Sequence, residues 1–161
     1  MSKRINLQNS KIMKKLFYSF AMMLVAMLFV STEANAYEFD GIDLNGKQQQ
    51  VSREISTKGY VYDSQKGCLT GNCQGKQIYL SLNTTDVSEA GRVGQLIVEI
   101  PFADAKEIQA ATTVFNVIYH QTANENGVVT YSVDKDGTTM ALTQSATGIK
   151  LVYNTPYYKN K

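Results

Sequence analysis

Lys14-Lys15 leads into an apolar run from Leu16 to Val30, which closes on Ser31-Thr32-Glu33-Ala34-Asn35-Ala36. A basic start, an apolar segment of roughly 7–15 residues and a small-x-small end are the three parts of a secretory signal peptide. Residues 1–36 are therefore expected to be removed between Ala36 and Tyr37, leaving residues 37–161 to fold as an exported domain. The competing reading is a membrane anchor. A bilayer span needs about 20 apolar residues, whereas Leu16 to Val30 offers 15 with Ser19 among them. The first cysteine is Cys68, so the leader is not that of a lipoprotein. The expected location is periplasmic or secreted, with no membrane span after cleavage.

Removing the leader changes the charge argument. Five of the 16 basic residues (Lys3, Arg4, Lys11, Lys14, Lys15) and one of the 14 acids (Glu33) lie in it, leaving 11 bases, 13 acids and a net charge of −2. A nucleic-acid partner usually needs a basic patch to offset phosphate charge. No basic cluster remains, so that class of partner is set aside. The remaining 125 residues are the size of one domain with one real core. Nine tyrosines in residues 37–161, no tryptophan and only Pro101 and Pro156 as breakers favour strands.

Along the mature chain, Tyr37, Phe39, Ile42 and Leu44 precede Asn45-Gly46, a strong hairpin signal. Lys47 to Thr57 has only Val51 and Ile55 as apolar residues and reads as a weak or edge strand. Gly59-Tyr60-Val61-Tyr62-Asp63 and Gln77-Ile78-Tyr79-Leu80-Ser81-Leu82 then flank a glycine-rich centre holding Cys68 and Cys73, which suggests a second hairpin. In an oxidising compartment the two cysteines most simply pair. Facing them across Leu69-Thr70-Gly71-Asn72 sets Tyr62 opposite Tyr79 and Val61 opposite Leu80. That register collects Tyr60, Tyr62 and Tyr79 on one face. Loop entropy gives so short a ring about 2 kcal/mol, a local staple rather than the reason the domain folds.

Val93 to Phe102 is the most apolar strand, with Leu96, Val98, Ile100 and Phe102 on one face and Gln95, Ile97 and Glu99 on the other. Asp104-Ala105-Lys106-Glu107 has the spacing of a capping box, so Ala105 to Ala111 is expected as a single short helix. A meander follows: Val114 to Gln121, Val128 to Asp134, Thr138 to Gln144 and Ile149 to Asn154. Asp136-Gly137 and Thr147-Gly148 are its later turns, with Val129, Tyr131, Val133, Met140, Leu142, Ile149, Leu151 and Tyr153 on the buried face. At its first turn, a three-residue loop Asn124-Glu125-Asn126 with Gly127 in a bulge places Phe115, Val117 and Tyr119 inward. A two-residue Asn126-Gly127 turn would bring in Val114, Ile118 and His120 instead, since a one-residue slip flips a strand. The first choice buries more apolar side chains. The count of about eight strands fits an antiparallel β-sandwich, with a closed lipocalin-like up-and-down barrel as the alternative.

Catalytic signals are sparse. His120 is the only histidine and is expected to face solvent. No Gly-x-Ser-x-Gly elbow occurs. Gly71 to Lys76 has three residues between its glycines instead of the four of a phosphate loop, and Gln77 replaces the Ser/Thr. The oxygens of Asp40, Asp43 and Asn45 fall at spacings that serve turns rather than a helix-flanked calcium loop. Neither a metal nor a cofactor is expected. Exposed aromatic rings stack on sugars or anchor proteins, which makes Tyr60, Tyr62 and Tyr79 the candidate binding residues and a protein or glycan the expected partner. The pattern implies an exported, non-catalytic binding or interaction module of the bacterial cell envelope. A carrier of a small apolar ligand and a small secreted hydrolase are the alternatives.

Overall fold

The computed structural model describes residues 38–44, 46–73, 75–84, 91–101, 103, 105–133, 138–145 and 148–158. The leader with its Ala36/Tyr37 junction, and also Asn45, Phe102, Asp104, the Asp136-Gly137 turn and Thr147, lie outside the described residues.

The chain enters through a small hairpin, β1 (Glu38–Phe39) and β2 (Ile42–Asp43), turned at Asp40-Gly41 with φ of 52° and 72°. The turn comes ahead of the Asn45-Gly46 signal and sends Phe39, Ile42 and Leu44 into the core. The expected edge strand after it is instead helix α1 (Gln48–Thr57). Its two apolar residues, Val51 and Ile55, are both fully buried. A spacing of four satisfies a helix and a strand alike, and the polar remainder suits a surface helix with a single inward stripe.

The main sheet has eight antiparallel strands in the order β3-β4-β5-β6-β10-β9-β8-β7. The first meander is β3 (Val61–Asp63), β4 (Cys68–Cys73), β5 (Lys76–Thr84) and β6 (Val93–Pro101). Helix α2 (Ala105–Ile118) then carries the chain to the far edge, where β7 (His120–Glu125), β8 (Val128–Ser132), β9 (Thr139–Ser145) and β10 (Gly148–Asn154) return to pair with β6. The crossover after β6 thus reaches the other half of the same sheet. Among the described residues β3 and β7 do not meet, so the sheet is open and the closed-barrel alternative falls. The architecture is mostly antiparallel β and sandwich-like. One layer is the sheet, and the other is built from hairpin β1–β2 and the two helices, with their buried residues in one cluster.

Two register rows show the core. Leu80, Val98, Leu151 and Leu142 lie side by side across four strands, as do Leu82, Leu96, Tyr153, Met140 and Tyr131 across five. All are buried. The inward residues of β6, β9 and β10 are those expected. A two-residue Asp136-Gly137 turn would pair Val133 with Met140 and Tyr131 with Leu142; instead Tyr131 pairs with Met140 and Val129 with Leu142, a two-residue shift that keeps every side chain on its face. Only one helix, ending at Ala111, was expected. α2 runs on to Ile118 and absorbs most of the expected strand Val114 to Gln121. Phe115 is fully buried from the helix against Tyr131, ring centroids 5.8 Å apart, while Val117 stands 83% exposed. Glu107 at the start of α2 pairs with Lys76 at the start of β5, tying helix to sheet.

The first turn of the second meander is the two-residue Asn126-Gly127, with φ of 52° and 78° and Glu125 opposite Val128. The three-residue loop is therefore not formed. Its advantage is the burial of Phe115, Val117 and Tyr119 from one strand, and that reason lapses because Phe115 and Val117 sit on α2 and Tyr119 directly follows it. Positive φ at both turn positions suits Asn-Gly and follows the twist of the strands.

Candidate functional site

The three candidate tyrosines occupy three different environments. β4 lies between β3 and β5, so Tyr62 pairs with Leu69, and Tyr79 pairs with Thr70. Tyr60 is 4% exposed and packs on Phe39, ring centroids 6.4 Å apart. Its ring also lies flat over Gly71, where any Cβ would collide with it. Tyr79 sits on the opposite, open face. Its hydroxyl donates to Gln77 Oε1 at 3.0 Å, and Lys66 Nζ covers its ring at 4.6 Å from the centroid. Tyr62 alone combines the core side of the sheet with 63% exposure. The expected cluster is not formed, because the register that built it depended on the cysteine pair.

That pair is also corrected. Cys68 and Cys73 stand at the two ends of one strand, β4. Five residues of extended chain separate their Cα atoms by about 16 Å, and a disulfide tolerates no more than roughly 7 Å. Cys68 is a buried free thiol opposite Asp63. Burial pushes its pKa up. The real turn after β4 is at Gly75, with Cys73 opposite Lys76.

Around Tyr62 the structure assembles a groove of about 660 Å³ between α1 and the β3–β5 part of the sheet. Leu69, Leu80 and Leu82 form its floor and Tyr62 its lip. One wall is the side of α1 next to the buried Val51/Ile55 stripe. Gln48, Ser52 and Ser56 recur every four residues along it, with Gln49 and Arg53 on the adjacent row. Gln48 Nε2 donates to Leu82 O at 3.0 Å, fastening the start of α1 to the edge of β5 where β4 has ended. Ser56 Oγ donates back to Ser52 O at 2.8 Å.

The groove is polar on one wall and apolar below. No Asp or Glu side chain lines it, and Arg53 has no carboxylate partner among the described residues. Glu54, next on the helix, accepts from Gln50 Nε2 at 3.2 Å. Asp63, on the neighbouring strand, is held below the usual carboxylate range by the Lys66 and Gln65 backbone N–H groups. Such a site offers several hydrogen-bond donors and acceptors, one guanidinium, an aromatic edge and an aliphatic floor, suited to an elongated ligand of mixed character.

The opposite sheet face is different. Asn83 donates to Gln95 at 2.8 Å, Gln95 to Asn154 at 2.8 Å, and Asn154 to Thr139 at 3.1 Å. These amides run across β5, β6, β10 and β9 and satisfy one another, forming a ladder rather than an unfilled site. His120 is exposed at the start of β7, as expected. Among the described residues no three His, Cys, Asp or Glu side chains gather as metal ligands, and no helix is long and apolar enough to cross a membrane.

The α1 wall is not legible in the sequence, where residues 47–57 read as a weak or edge strand. The available signal was the Val51/Ile55 pair in a stretch otherwise without apolar residues. Comparison of the chain with protein-family models, curated proteins and solved structures finds no match.

Proposed function

We propose that this chain is an exported, non-catalytic binding or interaction module of the bacterial cell envelope, with its ligand seated in the groove between α1 and β3–β5. The observation that carries the reading is the groove itself: an aliphatic floor, a wall of amides and hydroxyls with Arg53, and Tyr62 exposed at the lip. The tripartite leader motif supports export. A large aromatic ring left 63% exposed beside a concave apolar surface is typical of a residue that anchors a partner.

A thermal-shift screen of the protein against glycans, aliphatic lipids and peptides tests the reading, run beside Tyr62→Ala and Arg53→Ala. At least one class is expected to raise the melting temperature of the parent protein, with the rise lost in both variants. A rise that survives in both variants, or no rise with any class, contradicts it.

A further inference from the structure

We infer that an extended, acidic polypeptide segment of another protein enters at the mouth of the groove and adds as a strand along the edge of β3, whose outer side no described strand pairs. This rests on the groove being the binding site and names what it binds.

The two edges of the sheet are unequal. Edge strands invite pairing and are normally blunted by charge, bulges or polar side chains. β7 is blunted in this way: His120, Gln121, Asn124 and Glu125 are exposed, and the register breaks between Gln121 and Ala123. β3 is only three residues long and ends on Asp63, but it has neither bulge nor proline, and Val61 and Tyr62 on it are 68% and 63% exposed.

Hydrogen-bond polarity shows which backbone groups the edge presents. In an antiparallel pair, successive residues direct N–H and C=O to alternate sides. Thr70 Oγ1 reaches Val61 O at 3.3 Å, so Val61 faces β4. The Leu82 carbonyl, bonded by Gln48, sets the same phase on β5. The Tyr62 N–H and C=O therefore point outward, beside the mouth of the groove. A strand laid there gains both bonds and sends alternate side chains to the Tyr62 side of the sheet, beside that ring at the mouth of the groove, which is the pattern of strand addition.

Charge selects the occupant. Arg53, on the groove wall, lacks an acidic partner among the described residues, whereas Asp63 is already bridged by Lys66 at 3.5 Å. An acidic segment complements this cation.

The test titrates the full-length protein with a fluorescein-labelled ten-residue peptide of alternating threonine and glutamate, and with its threonine–lysine counterpart. Strand addition predicts that the acidic peptide binds about tenfold or more tightly than the basic one. Because the Tyr62 N–H makes no bond within the sheet, Tyr62→Pro keeps the ladder intact. It is expected to weaken acidic-peptide binding about tenfold, while Tyr62→Thr, which retains the N–H, weakens it less. Amide exchange by NMR needs no variant: the Tyr62 amide exchanges rapidly in the free protein and becomes protected with peptide bound. Absence of acidic-peptide binding, equal binding of both peptides, or a Tyr62 amide left unprotected overturns the inference. So does concentration-dependent dimerisation that Tyr62→Pro abolishes, which assigns the edge to a second copy. A glycan or lipid that depends on Tyr62 and Arg53 would leave the groove standing while removing the peptide.

Discussion

At the scale of single residues, environment overrides type. Three tyrosines with similar sequence surroundings become a core residue, an exposed lip and a ring sealed under a lysine. Two cysteines with the spacing of a hairpin staple fall on one strand. The sequence carries no signal that separates these outcomes, because each depends on which strand lies beside which. Cys68 and Cys73 should both be alkylated by iodoacetamide in denaturant without prior reduction, as read by intact mass. In the folded protein the raised pKa of Cys68 slows its reaction relative to a free cysteine at the same pH. Alkylation that requires reduction first would restore the bridge. Tyr131 makes a second case. Its hydroxyl is buried with no hydrogen-bond partner, and burial pushes its pKa up to about 12. Removing an unsatisfied buried hydroxyl relieves its desolvation cost, so Tyr131→Phe should gain about 1 kcal/mol in urea unfolding at neutral pH. The folded pKa lies above that of the unfolded chain. The stability linked to this proton is complete below pH 10 and lost as pH rises towards 12. Tyr131→Phe should flatten that alkaline limb, and an unchanged limb would count against the burial.

At the scale of elements, faces were more legible than identities. β6, β9 and β10 show inward alternation that survives any even register shift, so their core residues follow from the sequence alone. The helices were hidden by spacings that serve both periods, Val51/Ile55 in α1 and Phe115/Tyr119 across the end of α2. The β-branched run around Val114 strengthened the strand reading, and packing of Phe115 on Tyr131 overrode it. β4, short and glycine-containing, reads in the sequence as the centre of a hairpin. Ladders to β3 and β5 hold it, and the Tyr60 ring rests on Gly71. Gly71→Ala puts a methyl into that ring and should cost about 1–3 kcal/mol by overpacking, lowering the melting temperature. Pairing it with Tyr60→Leu should recover part of the loss. A Gly71→Ala protein as stable as the parent would show that the Tyr60 ring does not rest there.

At the scale of the whole molecule, two antiparallel meanders join at β6 and β10, and α2 spans the sheet to reach its far edge. Among the described residues that plan leaves β3 and β7 as edge strands, and α1 stops short of covering the β3 side. The groove is what remains uncovered. It is invisible in the sequence because its wall comes from a segment that reads as an edge strand, and Leu69 of its floor from the glycine-rich centre of a hairpin. The all-β class is legible in the sequence, and so is Tyr62 as a candidate binding residue; the groove beside which the fold places it is not. The central claim is that this protein binds through the Tyr62 side. It is tested most directly by p-benzoylphenylalanine placed at position 62 in cells that make the protein, with the exposed position 117 as control. Photolysis should give a discrete adduct at position 62, lost when Arg53→Ala is added, and none at position 117. No adduct at position 62, or the same adducts at both, would contradict the account.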